Sequence, residues 1–244
     1  MDVIDLFAGI GGIRRGVELA GEQIGEDINC VFTSENDRFA RKTYNANWPS
    51  EEIMGDITQI PPAEVPAHHL LLAGFPCQPF SQAGRRLGFN DDRGNLFRNI
   101  VDILIASQPH AFLLENVKRI LTLEGGQVIG EIIAALTEAG YNVLAPQVYM
   151  ARDFDVPQNR PRVYIVGFRN DIDVGFEFPQ PIGLQRNVGD ILEVDVDPRY
   201  TISDRLWAGH QRRLAGHRAN GNGFGYGLFN GDSPYTNTIS ARYY

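Results

Sequence analysis

Short apolar runs alternate with amphipathic stretches along the first two thirds of the chain. "DVIDLF" is apolar and β-branched and ends at glycines, which predicts a strand. A helical stretch is expected to begin between Arg14 and Leu19. "CVFTSE" predicts a second strand, and "DRFARKTYNAN" a helix stopped by Pro49. "HLLLAG" predicts a third strand, followed by an amphipathic helix, "NLFRNIVDILIASQ", stopped by Pro109. "AFLLENV" predicts a strand and "GQVIGEIIAALTEAG" a helix closed by Gly140. "YNVLAPQVYM" and "RVYIVGF" are expected to supply one strand each. Continuous apolar strands with helices between them indicate a mostly parallel sheet covered on both faces. The expected fold class is therefore α/β, a doubly wound sheet.

The pattern changes after Pro179 to Pro181, where glycine rises in "GNGFGYGLFNGDSP" and the helix and strand periods fade. We place a boundary near residue 180, giving a domain over 1–180 and a partial second region over 181–244.

At 244 residues, 43% hydrophobic and 21% charged, the chain is long enough for a substantial core and ordinary in composition. No apolar run approaches the length of a membrane span, and "MDVIDLF" is acidic where a signal peptide would be basic. Two cysteines, Cys30 and Cys77, make neither a disulfide framework nor a metal cage, and suit a reducing, cytoplasmic setting. A net charge of -8 argues against a nucleic-acid partner when taken alone. The tail departs from it: Arg199, Arg205, Arg212, Arg213, Arg218 and Arg242 are opposed only by Asp204 and Asp232. Such a tail is either a nucleic-acid contact or a solvated arginine face.

Three groups of residues suggest chemistry. In "DLFAGIGG" the glycines follow a strand and precede a helix, which allows close backbone approach to a ligand. The spacing is not that of the dinucleotide fingerprint. Glu35 ends the second strand, where an acid commonly takes a ribose hydroxyl pair, and Asp56 follows the next short strand. Together they suggest a nucleoside cofactor, against the plainer reading of a tight turn and surface acids. Cys77 stands between Pro76 and Pro79 just past the strand "LLLAGF", where open α/β sheets place ligands, and the prolines stiffen its loop. Cys30, inside a strand, reads as a small buried hydrophobe. Glu115 and Asn116 close "AFLLEN" on the same sheet edge as Cys77, where the carboxyl can hold a proton for a substrate nitrogen or the pair can serve as a strand-end helix cap. Arg160 and Arg162 are expected to open a strand with both side chains on one face.

These residues carry a close family resemblance. "DLFAGIGG", "GDI", "GFPCQPFSQAG", "DDRGNLF", "ENVK" and "QNRPRVYIVGFR" occur in the order found in bacterial DNA (cytosine-5)-methyltransferases. The resemblance implies a Rossmann-like, S-adenosylmethionine-dependent fold and methylation of cytosine C5 in a short sequence of double-stranded DNA, as in restriction-modification systems. It assigns Cys77 as the nucleophile toward C6 of a flipped base, Glu115 as the acid at N3 and the exocyclic amine, and Arg162 as the cation at O2, with Arg160 nearby. It assigns cofactor contacts to Phe7, Gly9, Ile10, Gly11, Gly12, Glu35, Asp56, Ile57, Pro76 and Leu96. DNA contacts are expected at Ser81, Gln82, Arg85, Arg86 and Arg242, with Gly84 and Gly88 as hinges of a closing loop. Asn36 stands where some members carry a tryptophan against adenine.

The family's closing block, similar to "QFGNSV", does not occur in the sequence, which ends "ISARYY". A split or truncated enzyme, completed by a second polypeptide and exposing apolar surface near Phe224, Phe229 and Tyr243, is therefore expected. The tail most resembles members that methylate CCGG- or CCNGG-like sites. A tRNA cytosine-5 methyltransferase and an inactive DNA-binding remnant are the alternatives.

Overall fold

A computed structural model describes residues 1–76, 95–221 and 225–238. They divide into two compact units, one of residues 1–149 and 162–178, the other of residues 150–161 and 179–244.

The first unit is built on a sheet whose core strands are apolar enough to be buried on both faces. β1 (Asp2–Leu6), β2 (Asn29–Ser34), β3 (Ile53–Met54), β4 (Leu70–Ala73) and β5 (Ala111–Val117) are parallel, in the order β3-β2-β1-β4-β5. β6 (Tyr141–Val143), β7 (Gln147–Met150) and β9 (Pro161–Arg169) extend it, with β9 antiparallel to β5 and to β6. The sheet is thus mostly parallel with an antiparallel end. "YNVLAPQVYM" forms two strands rather than one. Pro146, which has no N–H for a ladder, lies in the gap.

The helices follow the apolar periodicity. α1 (Gly12–Ile24) starts at Gly11 and ends at Gly25, both left-handed. α2 (Arg38–Asn47) is capped by Asp37, whose side chain accepts from the amides of Phe39 and Ala40. α3 (Asn95–Ser107) buries Phe97, Ile100, Val101, Ile103 and Leu104. α4 (Gln127–Glu138) buries Val128, Ile132 and Leu136, one residue per turn. Each such aliphatic side chain contributes about 1.5–3 kcal/mol of burial. The apolar run 118–138 has the length and composition of a membrane span. Non-helical backbone at Leu123, Glu124 and Gly125 breaks it, and α4 is a partly buried 12-residue helix, shorter than a bilayer crossing.

One irregularity matters for the site. Val3 pairs with Cys30 and Ile4 with Phe32, so Val31 is an extra residue, a bulge in β2.

In the second unit β8 (Gln158–Asn159) pairs in parallel with β10 (Thr236–Asn237). The C-terminal region also holds a 16-residue helix, α5 (Asp204–Ala219), where the sequence pattern showed no helical period. Its N-cap is Ser203, which accepts from the amide of Leu206. No residue of α5 is fully buried. Trp207 packs against Tyr226 with ring centroids 4.6 Å apart and planes tilted by 57°, an anchor for a mostly polar helix. Phe229 is exposed. Phe224 and Tyr243 lie outside the described residues.

Candidate active site

The strand order reverses direction between β1 and β4, so the loops leaving these two strands diverge and open a crevice. Register aligns the residues around it. Leu6 pairs with Ser34 on one side and Ala73 on the other, Ala73 pairs with Leu114, and Ser34 with Met54. The next step along each strand therefore forms a row at the carboxyl edge: Gly55, Glu35, Phe7, Gly74 and Glu115. The amide of Gly74 donates to Leu6 O, and a Cβ on Gly74 would stand 3.8 Å from both Phe7 O and Glu115 Oε2. The glycine leaves this part of the row open.

The β1 turn is held in an unusual backbone shape. Phe7 has φ 53°, and Gly9 and Gly11 have φ 57° and 88°. For Phe7 this is a strained conformation of order 1–3 kcal/mol. The Gly9 amide donates to Glu35 Oε2 at 2.7 Å, and the Asp37 amide donates to Oε1 at 2.7 Å. Each carboxylate oxygen of Glu35 thus has one backbone partner and a further lone pair to offer. A Cβ on Gly9 or Gly12 would meet nothing within 4 Å.

Beneath the turn lies a buried polar network that the sequence reading did not contain. Arg14 of α1 donates to Glu18 at 2.8 Å, to Tyr44 Oη at 2.9 Å and to Glu51 at 2.9 Å, and its guanidinium sits 4.5 Å from the Trp48 ring centroid. Trp48 Nε1 donates to Glu18, and Tyr44 Oη and Thr33 Oγ1 are 3.1 Å apart. Burial opposes the charge on Arg14, but Glu51, Tyr44 and Glu18 hold it firmly protonated. Asp5 is also enclosed; burial lifts its carboxyl to about 7 against the pull of Arg14. The signal in the sequence was a lone acid in the apolar strand "VIDLF" and an Arg14–Glu18 spacing of four.

On β5, Asn116 is buried and donates to Phe75 O at 2.9 Å, which ties the β4 exit to β5. Glu115 is partly buried, and its Oε1 lies 2.6 Å from Nε of Arg162 on β9. Two of the expected catalytic groups are therefore in contact. Arg160 is placed differently from the expectation. It lies between β8 and β9, its amide donating to Gln158 O, and β9 begins at Pro161. The strand thus opens one residue later than expected, at a proline that has no N–H to pair, and Arg162 lies within it while Arg160 precedes it.

Of the other expected cofactor residues, Ile10 is 61% exposed, Phe7 and Leu96 are partly buried against the core, and Pro76 is exposed. Ile57 is 3% exposed, so its side chain belongs to the core. Asp56 Oδ1 accepts from the amide and hydroxyl of Thr58, capping a short turn. Cys77, Ser81, Gln82, Arg85, Arg86 and Arg242 lie outside the described residues, as do Gly84 and Gly88.

Comparison with known proteins places this geometry. The family model of the C-5 cytosine-specific DNA methylases matches residues 1–244. Type II methyltransferase M.NlaX of Neisseria lactamica is 58% identical over 242 residues, 99% of this chain and 75% of that protein. M.SsoII of Shigella sonnei is 52% identical over 99% of this chain, and M.HpaII of Haemophilus parainfluenzae 41% identical over 94%. The chain spans 63% of the length of each of these two. Among solved structures, the S. pombe Dnmt2 methyltransferase superposes with a TM-score of 0.73 at 22% identity, over 96% of this chain and 70% of that one. The Spodoptera frugiperda DNMT2 mutant does so with a TM-score of 0.67 at 24% identity, over 86% and 65%. At these identities the structures share the fold. The match over the full chain and the high identity to Type II methyltransferases show that the chain belongs to the C-5 cytosine-specific DNA methylase family.

Proposed function

We propose that the chain methylates C5 of cytosine within a short sequence of duplex DNA, as the modification enzyme of a restriction-modification system acting in the bacterial cytoplasm. The observation that carries this reading is the Glu115–Arg162 pair, 2.6 Å apart, on the same sheet edge as the β4 exit that leads to Cys77.

Cytosine C5 is a poor nucleophile. Addition of the Cys77 thiolate at C6 converts C5 to an enamine-like carbon. Glu115 holds a proton at N3 as the adduct forms and accepts from the exocyclic amine. Arg162 orients the Glu115 carboxylate and reaches toward O2. Once C5 carries the methyl group, loss of its proton to solvent and departure of the Cys77 thiolate restore the C5–C6 double bond and the aromatic ring. The thiolate approaches the ring face, so the base leaves the stack.

S-adenosylmethionine fits the turn. Both oxygens of Glu35 keep acceptor capacity for a ribose hydroxyl pair, and Gly9 and Gly12 leave open space beside the backbone. Glu35 and the 9–12 backbone would hold it, and when bound it supplies an electrophilic methyl group.

Duplex DNA containing 5-fluorocytosine tests the reading, because fluorine does not leave as the proton does. With S-adenosylmethionine the chain is expected to form a denaturant-stable adduct mapped to Cys77. Cys77→Ser is expected to form none, and Glu115→Gln to slow adduct formation by about 10²–10⁴-fold. The assay is run with the chain alone and with a polypeptide covering the rest of a relative's length. Absence of adduct in both arms overturns the proposal.

A further inference from the structure

We propose that the outer face of α5 is a contact surface for the phosphodiester backbone of duplex DNA. The inference rests on the functional reading above and deepens it, because it names a surface outside the expected catalytic and cofactor residues.

The helix is two-sided by size and charge. Trp207, His210, Leu214 and His217 recur at helical spacing and are partly buried. Trp207 packs at a tilt against Tyr226, and Leu214 packs where a Cβ on Gly225 would stand. This side is anchored. The opposite side carries Arg205, Gly209, Arg212 and Gly216, spaced four, three and four residues apart, with Arg213 on its flank. Arg205, Arg212 and Arg213 are exposed, and none has a carboxylate partner among the described residues. Arg186 and Arg199, outside the helix in the same unit, are paired with Asp155 and Asp197. Asp204 is the single acid of the helix and lies in its first turn, where the helix dipole favours it.

The small residues add access. A Cβ on Gly216 would meet nothing within 4 Å, and one on Gly209 would meet only the Arg212 guanidinium at 3.9 Å. Guanidinium groups thus flank a low surface on which a phosphate backbone can lie close. A polyanion of regular spacing complements unpaired arginines on a chain of net charge -8, which otherwise repels it. Arginine matches phosphate oxygens in bidentate geometry, and such contacts position a duplex without reading its sequence.

The test is binding of the full chain to a fluorescein-labelled duplex across a salt series, read by anisotropy. The triple variant Arg205→Gln, Arg212→Gln, Arg213→Gln is expected to bind about 10- to 100-fold more weakly, with a log–log salt slope shallower by about 2–3. The matching triple lysine variant is expected to keep most of the affinity. Arg119→Gln, an exposed cation of the first unit, is expected to bind like the parent. Circular dichroism of each variant checks that the helix persists. A triple glutamine variant that keeps the parental affinity and slope overturns the α5 assignment and leaves the methylation reading intact, provided the parent is trapped on fluorocytosine DNA. A parent that neither binds duplex nor is trapped overturns both.

Discussion

Gly11 and Trp48 fit together with no room for a methyl group between them. A Cβ on Gly11 would meet Trp48 Cζ3 and, at 2.5 Å, Cη2, with Tyr44 Cε2 at 3.1 Å. Gly11 also has φ 88°. Gly11→Ala therefore faces both backbone strain and a clash with two rings held by the Arg14 network. We expect a loss of about 2–4 kcal/mol in stability, measured by denaturant unfolding. Gly12→Ala, with open space around its Cβ, is expected to change stability far less.

Glu35 joins the turn after β1 to the end of β2 through its bond to the Gly9 amide. Glu35→Gln keeps the shape but removes the carboxylate charge and turns one of its two acceptor oxygens into an NH2 donor that faces a backbone amide. The expected result is a 10- to 100-fold rise in the apparent dissociation constant for S-adenosylmethionine, about 1.4–2.8 kcal/mol, with a smaller change in unfolding midpoint. Titration calorimetry with S-adenosylhomocysteine reads it directly. Unchanged affinity excludes Glu35 from the cofactor site.

Asp5 makes stability depend on pH. Its carboxyl titrates near 7 when folded against 3.8 in the exposed chain. Between these values the folded protein keeps a proton that the unfolded chain has released. Stability is therefore full below the lower value and falls as pH rises toward 7. The loss is of the order of a few kcal/mol. Asp5→Asn removes this titration. The difference in melting temperature between pH 5 and pH 8 is expected to be several degrees smaller in the variant, by differential scanning calorimetry.

Much of this molecule is written locally in its sequence. Apolar strands such as Leu70–Ala73 and one-sided helices such as α4 announce themselves by period, and the glycine turn and Glu35 follow from where strands end. Three features do not announce themselves. α5 has no apolar stripe, because its partly buried side mixes Trp207 and Leu214 with His210 and His217, so its period is nearly invisible. The start of β9 at Pro161, which leaves Arg160 just outside the strand that carries Arg162, is not marked by the apolar period. The Arg14–Tyr44–Glu51 network joins residues 30 and 37 positions apart, and charged residues on helix α1 read as solvent-facing until the fold encloses them. The Glu115–Arg162 contact is intermediate: each residue was legible, but their meeting depends on the antiparallel register of β5 and β9.

The extra residue at Val31 gives β2 two phases. On its near side Cys30 follows Val3, and on its far side Thr33 follows Asp5. Cys30 Sγ and Thr33 Oγ1 are consequently on one face and 3.4 Å apart, although they stand three positions apart in the chain. The bulge works as a slack link. A one-residue change in length at Val31 alters the slack and leaves Phe32 to Ser34 locked to β1. The same change between Phe32 and Glu35 would carry the carboxylate about 3.3 Å out of the row and turn it to the opposite face. Length variation in relatives of this chain should therefore be tolerated before Phe32 and absent from there to Glu35.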